Sequence, residues 1–335
     1  EDATSLDLIV LDDSYPCGTG DPDSIIPVVD ETADTISIVV LAEPSLDASS
    51  GCPAEFVSIT VALKSPLGDR EVLDGSSRPG RPLMVLKPDQ HLNVIMLGRS
   101  VAGWWDADNS AWVESNPVSP GIPLAPGTEL QVASLDGPQP SVFAGTPIRD
   151  CETLGTWTTS LEPIVDGGAD TVAVDGTWPL LPRPVTLLSP TIPDYQRAVV
   201  EYLRQRGLTD VPVAVDQVIR TDLDGDGVDE VIVAAHHPDA MTGIGAQAGY
   251  FSVVLLRRVE DGGVDTIALF EDLHAVADTD YPMMGIGNVS LIADLNGDGA
   301  MEIAINSSYF ESGGTDVYDM MSNVPKRVLS VGCGS

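Results

Sequence analysis

The decapeptide Asp222-Leu-Asp-Gly-Asp-Gly-Val-Asp-Glu-Val returns 72 residues later as Asp294-Leu-Asn-Gly-Asp-Gly-Ala-Met-Glu-Ile, identical at six of ten positions. Each copy runs directly into an apolar stretch, Val231-Ile-Val-Ala-Ala235 and Ile303-Ala-Ile305, that reads as a buried strand. A second strand pattern precedes each copy. The chain therefore repeats one unit: strand, acidic glycine-rich turn, strand.

Oxygen-bearing side chains at alternate positions of a tight loop converge on one hard cation, and glycines let the backbone reach positive φ where the loop folds back. Counted from the first Asp, the first, third, fifth and ninth positions supply side chains and the seventh a main-chain carbonyl. The first set is Asp222, Asp224, Asp226 and Glu230 with the Val228 carbonyl; the second is Asp294, Asn296, Asp298 and Glu302 with the Ala300 carbonyl. The expected ion is Ca2+ at both sites, and the second is expected to be weaker because Asn296 removes one negative charge. An EF-hand needs a bidentate Glu at its twelfth position, which falls here on Val233 and Ile305, both inside strand patterns. The competing reading is a pair of ordinary Asp/Gly turns that bind nothing.

These loops resemble the calcium loops of FG-GAP and VCBS repeats, in which an aspartate-rich turn leads into a hydrophobic strand. The resemblance covers the last third of the chain and implies blade-like β-units in a secreted, bacterial, calcium-binding protein, with no catalytic activity attached. Two departures stand out. Glu occupies the ninth position where that family usually has Asp, and two copies cannot close a propeller of about four to eight blades.

Charge narrows the partners. With 51 acidic and 16 basic residues the net charge is −35, a surface that repels nucleic-acid phosphates and anionic membranes and attracts cations. No stretch approaches the roughly 18 apolar residues of a membrane span. A chain that starts at Glu1 without Met is expected of a mature protein after signal-peptide removal, so the expected location is secreted or cell-surface. Cys17, Cys52, Cys151 and Cys333 form no zinc-ligand pattern; in a secreted chain they are expected to make two disulfides, Cys17 with Cys52 and Cys151 with Cys333 on loop length, out of three possible connectivities.

Along the chain, Leu6–Leu11, Thr35–Leu41 and Phe56–Leu63 alternate with Gly/Pro/Asp/Ser turns, predicting an antiparallel β-sandwich over residues 1–86. A second β region follows over 87–157, either another sandwich or the completion of the first. Residues 158–186 hold prolines at 163, 179, 182 and 184 and read as a semi-rigid connector. The calcium-binding repeat domain is placed at 187–335. It opens with an amphipathic helix from Thr191-Ile-Pro-Asp194 to Gly207 that should lie on a sheet, and each acidic loop is followed by a hairpin. The expected fold is thus mainly β: N-terminal antiparallel sandwich regions, then two blade-like four-stranded repeats with one covering helix.

Chemistry beyond the loops is sparse. Neither HExxH nor GxSxG occurs, and the four histidines are His91, His236, His237 and His274. His236-His237 beside Asp239 could mark a calcium-dependent hydrolase, the least favoured class. Trp104, Trp105 and Trp112 could either fill a β-core or stack against sugar rings. The leading expectation is a non-catalytic extracellular structural or cell-surface protein, possibly a homopolymer built by end-to-end contact or by addition of strand Leu6–Leu11 to a neighbour. The alternative is an adhesion module for a glycan or surface protein.

Overall fold

The computed structural model describes residues 4–12, 25–42, 55–75, 81–82, 91–115, 122–150, 156–164, 170–240, 243–244, 246–260, 263–276, 283–321 and 324–334. The described residues are mainly β with one helix. It separates into two compact units, residues 1–88 with 118–121, and residues 89–117 with 122–335.

The first unit contains β1 (Ser5–Asp12), β2 (Ile25–Glu31), β3 (Thr35–Ala42), β4 (Glu55–Ala62), β5 (Glu71–Asp74) and β6 (Arg81–Pro82). Period-two alternation puts Ile36 and Ile38 on the same face of β3, where they share a core with Ile59 and Val61 of β4 and Val72 of β5. β1 pairs with β4 over all eight residues, from Ser5 opposite Ala62 to Asp12 opposite Glu55, so this strand is taken up within its own chain. The other sheet runs β2-β3-β5-β6. β3 and β5 are parallel, in contrast to the wholly antiparallel pattern expected, because the chain between them passes through β4 in the other sheet and returns in its original direction.

The second unit begins with a nine-stranded sheet: β7 (Leu92–Leu97), β8 (Ser100–Asp106), β9 (Ala111–Glu114), β10 (Glu129–Ser134), β11 (Gly137–Ala144), β12 (Ile148–Asp150), β13 (Thr156–Thr158), β14 (Leu161–Glu162) and β15 (Thr171–Val174). β15 is fully buried between β7 and β10. The segment 158–186, expected to be a connector, therefore supplies a central strand. Its prolines flank the short run Thr171-Val-Ala-Val174 without entering it, which leaves every ladder N–H in place.

Next come β16 (Thr186–Leu188), α1 (Pro193–Gln205), β17 (Ala214–Thr221), β18 (Glu230–His236), β19 (Gly243–Ile244), β20 (Phe251–Glu260) and β21 (Gly263–Leu273). An antiparallel sheet runs β16-β17-β18-β20-β21, while β19 pairs aside with β22 (Met283–Met284). The final sheet is an antiparallel meander of β23 (Ile286–Ala293), β24 (Glu302–Ser308), β25 (Ser312–Asp319) and β26 (Lys326–Gly334).

These elements stack in layers. α1 buries Val199, Tyr202 and Leu203 against Val218, Val233 and Val253 on one face of the five-stranded sheet. The opposite face, with Ile219, Ile232, Val254 and Leu256, meets Val289, Ile303 and Ile305 of the final meander. The meander's other face presents Leu291, Ala293, Ala304, Val317 and Leu329 to Ile95, Leu97, Val172 and Val174 of the nine-stranded sheet. Because both faces of β24 are covered there, the run Ile303-Ala-Ile305 is apolar at consecutive positions instead of alternating. Each fully buried aliphatic side chain contributes about 1.5–3 kcal/mol.

Candidate cation-binding loops

The two acidic repeats close two hairpins in the same register. Thr221 pairs with Glu230 across the first and Ala293 with Glu302 across the second, each joining an eight-residue strand to a seven-residue one. In the first loop Asp222 accepts the N–H groups of Gly225 at 2.7 Å and Gly227 at 3.0 Å, one on each carboxylate oxygen. Asp294 accepts Gly297 and Gly299 at the same 2.7 and 3.0 Å. The third position takes the N–H two residues on, Asp224 from Asp226 at 3.1 Å and Asn296 from Asp298 at 3.0 Å. The fifth repeats the step to Val228 at 2.7 Å and Ala300 at 2.8 Å. The ninth reaches back to the residue after the first Asp, Glu230 to Leu223 at 2.8 Å and Glu302 to Leu295 at 2.7 Å.

Five matching hydrogen bonds fix five oxygens on four side chains in each loop. All four glycines lie at positive φ: 81° and 88° at Gly225 and Gly227, 77° and 89° at Gly297 and Gly299. A side chain there would pay the left-handed penalty of about 1–2 kcal/mol. Ligand-capable oxygens of Asp222, Asp224 and Asp226 lie within 4.8 Å of one another. Since each carboxylate oxygen has two lone pairs, an N–H bond to one leaves capacity for a cation. Val233 and Ile305, the twelfth positions, are buried in β18 and β24, which removes the EF-hand arrangement.

Surroundings separate the two loops. Asp222 is half-buried and Asp224 and Val228 are exposed where Asp294, Asn296 and Ala300 are buried, while Asp226 and Asp298 are both exposed and Glu230 and Glu302 both buried. Glu302 is 1 % exposed, and its Oε1 accepts no hydrogen bond. Burial holds its carboxyl well above the usual glutamate range; the Leu295 N–H opposes this, and the charges of Asp298, Asp294 and Asp319 reinforce it. Burial also raises Glu230 and Asp294. A buried carboxylate with an unused oxygen and acidic neighbours is costly unless something compensates it.

No protein-family model, curated protein or solved structure matches the chain. The local geometry of the loops therefore carries the functional argument.

Two residues that touch the loops have no sequence motif. Trp178 donates its Nε1 hydrogen to the Asp294 carbonyl at 2.9 Å, and Arg183 donates from Nε and Nη2 to the carbonyls of Asp222 and Leu223 at 2.5 and 2.7 Å. Their partners are 116, 39 and 40 residues distant, beyond any local pattern.

Other candidates disperse. Trp104 is buried; Trp105 and Trp112 meet edge to face at 5.0 Å against the layer between the nine-stranded sheet and the final meander, and Trp112 donates to Asp319 at 3.1 Å. Trp104 fills core, and Trp105 and Trp112 are half-buried against it. His236 pairs with Asp216 at 2.5 Å, while His237 is buried and stacks on Tyr250 at 4.5 Å, so the two imidazoles serve separate surroundings. Cys17, Cys52 and Cys151 lie outside the described residues; of Cys333 only the main chain, opposite Gly313, is described, so both expected disulfides fall outside the description. Among the described residues no helix is long and apolar enough to cross a membrane.

Proposed function

We propose that this chain is a non-catalytic extracellular protein whose second unit is held by two Ca2+ ions, one per acidic loop, in the manner of FG-GAP and VCBS repeats. In this reading the five-stranded and four-stranded sheets are two blade-like units, the first unit is a β-sandwich, and the protein serves as a structural or cell-surface component. The observation that carries the reading is the five hydrogen bonds the two loops share together with the unpartnered, buried oxygen of Glu302. Asp222, Asp224, Asp226 and Glu230 would hold one ion and Asp294, Asn296, Asp298 and Glu302 the other, with the Val228 and Ala300 carbonyls completing them. A hard cation suits this all-oxygen set and relieves repulsion among carboxylates that the fold forces together. Calcium titration by calorimetry should give two unequal sites, and chelation should speed hydrogen exchange over residues 215–310 while sparing β1–β5. No heat at millimolar calcium would sink the proposal.

A second reading, adhesion or self-assembly through the first unit, is favoured by one feature. Ile26, Val28 and Leu41 are about half exposed on one face of the β2–β3 hairpin, with Ile26 directly opposite Leu41. Sedimentation of the intact chain, with and without Val28→Lys, tests it; concentration-independent monomers in both would remove this reading.

A further inference from the structure

We propose that residues 176–185 form a strap that couples the two loops, so that calcium at one favours calcium at the other. The inference rests on the calcium reading above. Trp178 and Arg183 are its positioning residues.

The strap begins anchored to the nine-stranded sheet, where Gln131 Nε2 donates to the carbonyls of Gly176 at 2.5 Å and Trp178 at 3.0 Å. The Trp178 indole then lies in a slot made by two glycines: a Cβ on Gly176 would come within 2.6 Å of the ring and one on Gly297 within 2.8 Å. From this slot Nε1 holds the Asp294 carbonyl, and two residues on the Leu180 carbonyl accepts the Asp294 N–H at 2.8 Å. Both main-chain groups of the second loop's first ligand are thus fixed by the strap. Three residues further, Arg183 grips the Asp222 carbonyl, the counterpart of Asp294 in the first loop, and the Leu223 carbonyl beside it. The Leu223 peptide completes the connection. Its N–H goes to Glu230 of its own loop at 2.8 Å, and its carbonyl also accepts the N–H of Met301 at 2.8 Å, between Ala300 and Glu302 of the other loop.

Stiffness makes this arrangement a transmitter. Pro179, Pro182 and Pro184 fix φ at three of the strap's ten positions, so a shift at Trp178 is passed to Arg183 and is not absorbed by the backbone between them. An ion at the second loop satisfies the buried Glu302 oxygen and sets the position of Asp294. The strap carries that position to the Asp222 and Leu223 carbonyls, and the first loop then takes up its ion at lower cost.

Calorimetry on the intact chain tests the coupling. Asp298→Ala alters an exposed side chain and removes the second site; the affinity of the remaining site should fall about 5- to 10-fold, and Asp226→Ala should weaken the second site by the same factor. In an Arg183→Gln background the Asp298→Ala effect should shrink to what the direct Met301–Leu223 hydrogen bond carries. Hydrogen exchange at Trp178, Leu180, Leu181 and Arg183 should slow with calcium. Unchanged affinity of the first site in Asp298→Ala, or unchanged strap exchange when the heats show binding, overturns the coupling and leaves the calcium reading standing. Absence of any heat in the wild type overturns both.

Discussion

Replacing Glu302 by Gln should stabilise the calcium-free protein and destabilise the calcium-loaded one. Without an ion, Glu302 is 1 % exposed, its Oε2 accepts the Leu295 N–H at 2.7 Å, and its Oε1 accepts nothing. Leaving such a buried group unsatisfied costs about 1–3 kcal/mol, and more when it is charged. Gln keeps one oxygen for Leu295 and turns two N–H donors toward the carboxylates that now repel it. We expect a gain of about 2 kcal/mol in chelator, which for a unit of this size raises Tm by roughly 4–8 °C. Calcium should invert the order. At free calcium near 100 times Kd the wild type gains about 2.7 kcal/mol per site, whereas the variant offers the second loop a neutral oxygen for a charged one and loses most of that gain. Differential scanning calorimetry of both proteins, each in chelator and in excess calcium, reads the two effects separately. A variant that melts below wild type in chelator, or gains as much from calcium, would refute the assignment of the orphan oxygen to a cation.

Gly297→Ala and Gly299→Ala both place a side chain at positive φ, 77° and 89°, but only the first drives a Cβ into an indole, that of Trp178. Urea unfolding should show Gly297→Ala the more destabilised by about 1–3 kcal/mol of overpacking, with a shifted tryptophan emission; equal losses would mean that the indole yields freely. The pH response in chelator has a definite sign. Because Glu302, Glu230 and Asp294 have folded pKa values raised by burial, the folded state holds more protons than the unfolded chain between the ordinary carboxylate range and those raised values. Stability contributed by the protonated forms is complete at low pH and lost as pH rises through that window, and bound calcium should flatten the slope. Tm measured against pH in chelator and in calcium checks this, and a rise with pH in chelator would contradict it.

The hydrogen-bonded frame of the loops was legible because its parts lie close in sequence: glycines where φ turns positive, and side-chain oxygens two to seven residues from the N–H groups they accept. The strands around them were legible for the same reason, and so was α1, whose Gly207 at φ 85° stands where the apolar periodicity stops. What the sequence hid depends on distant partners. Thr171–Val174 sits among prolines, and only the strands on either side of it, β7 and β10, show why it is central. Trp178 and Arg183 carry no periodicity, since each is defined by a carbonyl in a loop far along the chain. The parallel pairing of β3 with β5 depends on which sheet takes β4, and strand patterns alone do not reveal that. The difference in burial between parts of the two similar loops was invisible for a similar reason: the Trp178 indole that lies against Gly297 of the second comes from far away in the chain.

The position of the final meander bears on how the chain is made. Residues 286–334 form the middle layer of the second unit, yet they are synthesised after both layers that enclose them. Until they arrive, the five-stranded sheet shows Ile219, Ile232, Val254 and Leu256 to water, and the nine-stranded sheet shows Ile95, Leu97, Val172 and Val174. A nascent chain stalled before residue 286 would therefore carry two unmatched apolar faces, the kind of surface that aggregates or recruits chaperones. Folding of this unit cannot proceed cleanly from the N-terminal side, and emergence of the last strands is the event that hides both faces at once.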